Sequence, residues 1–123
     1  MNIKINPSLI TASYHKNHER IKNHIKEHAT KIIDSLAVQF QKECNTSIKE
    51  DNHWDYIKQN FIYGFEYGLL AYAHSKENKK EQELYDIGLN CANYLKISEL
   101  LAANIFVKGF YYGYIKGAKL NVI

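Results

Sequence analysis

Residues 61–73 read Phe61-Ile-Tyr-Gly-Phe-Glu-Tyr-Gly-Leu-Leu-Ala-Tyr-Ala73, and residues 106–118 read Phe106-Val-Lys-Gly-Phe-Tyr-Tyr-Gly-Tyr-Ile-Lys-Gly-Ala118. The two stretches align without gaps at an offset of 45 residues, with six of thirteen positions identical. Both carry glycines four residues apart: Gly64 and Gly68 in one, Gly109, Gly113 and Gly117 in the other. Glycine inside a helix costs about 1 kcal/mol relative to alanine. A spacing of four puts the glycines on one helix face, where they let a second backbone come close. The reading is two helices packed through their glycine faces, with Phe65 and Phe110 filling space beside the contact. The competing reading makes one glycine face a homodimer interface or a ligand slot. The offset is close to the length of a helix pair, so the two stretches read as an internal repeat of an αα-hairpin.

The helical reading extends outward in both directions. Asn6-Pro7 reads as a helix start, with Asn as the cap and Pro at the first helical position. Ile10, Tyr14, Ile21, Ile25, Ile32, Leu36 and Phe40 follow at helical spacing and mark one apolar face. A single helix from Pro7 to Cys44 would be roughly 57 Å long, too long for so small a bundle. A break is therefore expected near Thr11-Ala12-Ser13, or else a projection into a dimer. After the polar stretch Asn45 to Asp51, Asn52 and Asp55 read as a cap for the second predicted helix, which runs to about His74 and is apolar nearly all round. Ser75 to Lys80 is a charged connector. A third helix buries Leu84, Ile87, Gly88, Cys91 and Leu95, and a fourth, capped by Ser98, runs to about Leu120. The fold expected is a compact all-α bundle of about four helices, a single domain over residues 1–123.

Composition agrees with that class. The chain is 46% hydrophobic and 24% charged, with one proline and six glycines. Disorder needs fewer apolar residues, and a β-sandwich needs more turn residues. Two cysteines, Cys44 and Cys91, make no disulfide framework and read as reduced core residues. No apolar leader or membrane-length run is visible, since Lys58, Glu66, Lys108 and Lys116 interrupt the longest candidates. A cytoplasmic location is expected, with no membrane association. Residues 1–50 carry eight Lys/Arg against five Asp/Glu, whereas residues 51–123 carry eight against eight. The net charge of +3 thus belongs to the first part of the chain. Only one of the sixteen basic residues is arginine, and Lys, Asn and Ile are abundant, a bias that AT-rich codons produce. It suggests a bacteriophage or mobile-element origin.

Three functional readings follow. The leading one is a non-catalytic protein–protein interaction module, an inhibitor or regulator of another macromolecule, such as an anti-defence protein, acting as a homodimer and needing no cofactor. Ten tyrosines are more than a core this size hides, and tyrosine suits contact surfaces because a large ring ends in a polar tip. Consecutive helical residues point about 100° apart, so Tyr111-Tyr112-Gly113-Tyr114 does not all face inward. The expected interaction surface is Tyr63, Tyr67, Tyr111, Tyr112 and Tyr114, with Lys108 and Lys116. The alternative is a nucleic-acid-binding regulator using Lys16, Arg20, Lys22, Lys26 and Lys31 against phosphates. The third is a metal-dependent hydrolase. His24 and His28 lie one helical turn apart, and His24-Ile-Lys-Glu-His28 matches the spacing H-x-x-E-H. Nothing in the sequence singles out the third ligand that zinc requires, so no metal is expected. Nucleophile-elbow, phosphate-loop and C-x-x-C motifs are absent.

Overall fold

The computed structural model describes residues 5–28, 30–43 and 51–120. Every regular element among them is a helix: α1 Pro7–His28, α2 Thr30–Glu43, α3 Asp51–Ser75, α4 Glu81–Tyr94 and α5 Leu100–Leu120. The all-α expectation holds, with five helices in place of about four. Both α1 and α2 fall within the first predicted helix, on either side of position 29.

The helix start at Asn6-Pro7 stands as read. The Asn6 carboxamide oxygen accepts the Ser8 N–H at 2.9 Å, and its carbonyl accepts that of Ile10 at 3.1 Å. The break expected at Thr11–Ser13 is not there. The Thr11 hydroxyl donates back to the Pro7 carbonyl at 2.8 Å and accepts the Tyr67 hydroxyl at 3.0 Å, so it is satisfied without leaving the helix. α1 bends instead at Asn17 (φ −112°, ψ 15°), whose amide donates to the Ser13 carbonyl at 3.0 Å. α2 begins at Thr30, and residue 29 lies outside the described residues. The Thr30 hydroxyl sits 3.1 Å from the carbonyls of both Ile25 and Lys26, the back-bonding to a preceding turn that threonine makes. Of the expected apolar stripe, Ile10, Ile21 and Ile25 on α1 are buried and Tyr14 and Leu36 half-buried, while the side chains of Ile32 and Phe40 lie outside the described residues. The buried isoleucine of α2 is Ile33, which the stripe did not include.

The heart of the molecule is the pairing of α3 with α5, the most extensive contact between elements. A Cβ added to Gly64 would strike the Phe106 carbonyl, and one added to Gly109 would strike that of Phe61. One turn on, Gly68 faces the Phe110 carbonyl and Gly113 that of Phe65. Both register numbers rise together, so the two helices run in the same direction. Each glycine meets the carbonyl of the phenylalanine three residues before the opposing glycine. Four of the six identities between the two stretches are therefore explained by one reciprocal contact. Phe61, Phe65, Phe106 and Phe110 are fully buried beside it.

α4 reverses the chain between these parallel helices. It buries Leu84, Gly88, Cys91 and Ala92, with Gly88 close against the Phe110 ring. Burial pushes the Cys91 thiol up to about 12, so it remains a protonated, unreactive core group; Cys44 lies outside the described residues. α4 ends in a left-handed Lys96 (φ 60°). Ile97 N–H reaches the Ala92 carbonyl and Lys96 N–H that of Asn93, both at 3.0 Å, the paired bonds of a Schellman ending. α5 starts at Leu100, one residue later than a Ser98 cap implies. The Glu99 carbonyl accepts the Ala103 N–H at 2.9 Å. α3 starts at Asp51, one residue before the expected Asn52 cap, whose side chain lies outside the described residues. Among the described residues, no helix is long and apolar enough to cross a membrane.

Candidate functional site

The tyrosines expected on one surface are distributed by helix packing into three places. Tyr67 and Tyr114 belong to the core, which corrects their assignment to the interaction surface. Tyr67 lies at the centre of an aromatic cluster with Tyr14, Tyr63 and Phe106, and its hydroxyl is taken by Thr11. The Tyr114 hydroxyl donates to the Glu77 carbonyl at 2.6 Å and accepts from Ser75, tying α5 to the α3–α4 connector. A buried tyrosine is tolerated where its hydroxyl finds such partners, which spacing alone does not reveal.

Tyr111 and Tyr112 are half-buried on a second patch, where their rings contact each other at 5.2 Å and Tyr111 meets Tyr85 at 5.1 Å. Lys108 belongs with them, its ammonium 5.2 Å above the Tyr85 ring and 3.1 Å from its hydroxyl. Lys116 is half-buried on α5. Tyr63 alone lines the third place, a cleft between α1 and α3.

This cleft encloses about 630 Å³, within the range of roughly 300–1,000 Å³ usual for ligand sites. From α1 come Tyr14, His18, Lys22 and Ile25, each three or four residues after the last and so on one face. From α3 come Tyr56, Asn60, Tyr63 and Glu66 at the same spacing, with Gln59 and Ile62 beside them. The Tyr14 and Tyr63 rings meet edge to face at 5.5 Å, and His18 lies 4.9 Å from Tyr14. Tyr63 backs onto Phe106 of α5 at 5.4 Å. The Tyr56 hydroxyl donates to Glu99 at 2.8 Å, and the Asn60 amide is tied to the Tyr56 carbonyl at 2.9 Å.

Glu66 is the unusual member. It is the only Asp, Glu, Lys or Arg between Lys58 and Lys76, and it is 6% exposed. No hydrogen bond or ion pair reaches its carboxylate from any described residue, although most buried carboxylates are paired. Burial raises its pKa to about 7, with Lys22 pulling the other way. Tyr14 is pushed well above the ordinary tyrosine range, first by burial and then by the Glu66 charge.

The sequence reading passed over Glu66, noting it only as an interruption of an apolar run. The signal was present: a lone carboxylate in the middle of the most buried helix must find a partner or a purpose.

The remaining expected residues are elsewhere. Lys16, Arg20, Lys22 and Lys26 on α1 and Lys31 on α2 are all exposed, and of these only Lys22 lines the cleft. Gly64, Gly68, Gly109 and Gly113 form the α3–α5 seam, and Gly117 sits against the Tyr72 side chain. The side chains of His24, His28 and Lys119 lie outside the described residues. Among the described residues, no three His, Cys, Asp or Glu side chains are grouped as a metal site requires. Comparison with family models, with curated proteins and with solved structures finds no match to this chain.

Proposed function

We propose that this chain is a non-catalytic interaction module that regulates another protein, and that it receives part of that protein in the cleft between α1 and α3. The observation that carries the reading is Glu66, a buried carboxylate with no hydrogen-bond or ion-pair partner among the described residues, in the wall of a cleft lined by Tyr14, Tyr56 and Tyr63. An unpaired buried charge destabilises a fold, so retaining one in an open cleft supports a role in recognition. The aromatic lining supports the same reading, since tyrosines dominate the energetics of protein contacts. Acid–base catalysis has less support. A carboxylate titrating near neutrality suits a general base, but no orienting hydrogen bond links Glu66 to His18, Lys22 or a hydroxyl nucleophile.

The test is affinity capture from the native host, comparing wild type with Glu66→Gln and Tyr63→Ala, and with Lys96→Gly as a control remote in sequence from the cleft. Partners retained by wild type and control but lost from both cleft variants support the proposal. The same partners on all four proteins would place the contact elsewhere.

A further inference from the structure

We infer that the group entering the cleft is a cation, the side chain of a lysine or arginine on the partner, with its charge against Glu66 and its stem against Tyr14 and Tyr63. This rests on the proposed role as a protein-binding module and deepens it.

The case is one of elimination by charge. Glu66 is 6% exposed and meets no donor among the described residues, which leaves the water of the cleft to solvate it. Any occupant displaces that water. An anion would be repelled, and an apolar side chain would leave the carboxylate with nothing. A cation replaces the lost solvation with an ion pair, which is strong where water is excluded. The lining suits the rest of such a side chain. Lysine and arginine stems are apolar, and the faces of tyrosine rings attract cations. The chain itself makes such a contact at Lys108, which lies over the Tyr85 ring.

Lys22 lines the same cleft, but it is exposed and makes no ion pair with Glu66. It yields its position without losing a bond. The other titratable groups lining the cleft are Tyr14 and His18 from α1 and Tyr56 and Tyr63 from α3. Beyond them lie Phe106 of α5, behind Tyr63, and Glu99 just before α5, already engaged by Tyr56; α2 also packs on α3, with Asp34 paired to Lys58. Tyr14 and Tyr56 are both raised by burial above their ordinary value and remain neutral below pH 9. His18 lines the same cleft, so it must be controlled for.

The experiment titrates the blocked residue N-acetyl-lysine methylamide into the isotope-labelled protein, following amide shifts by NMR. The arginine, norleucine and glutamate equivalents serve as comparisons, and tetramethylammonium as a free cation. With Glu66 titrating near 7, its ionised fraction rises roughly tenfold from pH 6 to pH 8. The lysine or arginine probe is therefore expected to bind about tenfold tighter at pH 8 and to shift Tyr14, Lys22, Tyr63 and Glu66. Glu66→Gln should abolish both the preference over norleucine and the pH dependence, whereas His18→Gln should keep both. Three results overturn the inference: norleucine or glutamate binding as well as the basic probes, affinity falling from pH 6 to 8, or no binding of the basic probes at roughly 50 mM. Falling affinity would mark Glu66 as a protonated donor. Each leaves the docking proposal standing if the cleft variants still lose their partners. Tetramethylammonium binding tighter than the residue probes, with no partners lost, would assign the cleft to a free organic cation and overturn both.

Discussion

α3 presents two faces that treat free energy in opposite ways. Toward α5 it offers Phe61, Gly64, Phe65 and Gly68, and the two backbones approach until no side-chain atom fits between them. Toward α1 it offers Tyr56, Asn60, Tyr63 and Glu66, which leave a cleft of about 630 Å³ and a buried carboxylate with no partner among the described residues. One face is closed and complementary, as cores are. The other is open and electrostatically unfinished. A helix whose far side is so firmly held can keep an unfavourable group in place on its near side, and under the proposed function stability and recognition would be separated on a single element.

The sharpest way to break the comparison is to put an atom into the seam. Gly113→Val would drive a branched side chain into the Phe65 backbone, whose carbonyl carbon already lies 2.8 Å from an added Cβ. Backbone gives way less readily than side chain, and the expected loss is at least about 4 kcal/mol. That approaches the whole stability of a small domain, so helical circular dichroism should lose its cooperative thermal transition. Gly88→Ala is the contrast. Its Cβ meets only the Phe110 side chain, at 3.2 Å, and the gain in helix propensity of about 1 kcal/mol offsets the crowding. If both variants melt alike, the seam is not a backbone contact.

On the open face, removing the charge should have the opposite sign. Glu66 titrates near 7 in the fold against 4.5 in an unfolded chain. The folded state therefore holds its proton through a pH range where the unfolded state has released it. Stability is greatest below 4.5, falls as pH rises toward 7, and stays low above. At about 1.4 kcal/mol per pH unit, the deficit at pH 8 is on the order of 3 kcal/mol. Glu66→Gln removes the ionisation, so it should raise the melting temperature at pH 8 and change it far less at pH 4.5. A variant that stabilises the fold while losing its partner is the expected signature of a binding residue. Equal effects at both pH values would mean that the carboxylate is solvated and the two faces are not so different.

These two faces were unequally legible in the sequence. The seam was readable because glycine in a helix interior has few uses, and its spacing of four against flanking phenylalanines named both helices and their contact. The ends of α3, α4 and α5 were readable to within two residues from capping and charge. The bend of the first helix was not, because it turns on which polar side chains find partners. Thr11 stays helical and finds Tyr67 across the core, whereas the Asn17 amide turns back to the Ser13 carbonyl where α1 bends. The tyrosines were misassigned for the same reason. Whether Tyr114 is a surface or core residue depends on Ser75 and Glu77, nearly forty positions away in sequence. The cleft was invisible because it needs the relative placement of α1 and α3, yet Glu66 stood out in composition and marked its wall.

Tyr114→Phe tests the reassignment of that residue. Removing the hydroxyl leaves the Glu77 carbonyl and the Ser75 hydroxyl without their partner in a buried corner. A loss of about 1–2 kcal/mol is expected in urea unfolding, with capture of the partner unchanged. Lost capture in a fully folded Tyr114→Phe protein would return this tyrosine to the interaction surface and extend that surface to the far end of α5.

The smallest effect concerns neither face, and so calibrates both. Lys96 stands in the left-handed region that closes α4, a conformation costing an L-residue roughly 1–2 kcal/mol. Glycine adopts it freely but gives up about 0.5–1 kcal/mol of chain entropy on folding. Lys96→Gly should therefore stabilise the protein by about 0.5–1 kcal/mol, measured by urea unfolding at a single pH. The Lys96 side chain is exposed and lies far in sequence from both the seam glycines and the cleft, so the gain should be the same at pH 4.5 and pH 8 and should leave partner capture intact. A pH-dependent gain would mean that the lysine charge takes part in stability, and the contrast drawn at Glu66 would then need correcting for charges spread more widely over the fold.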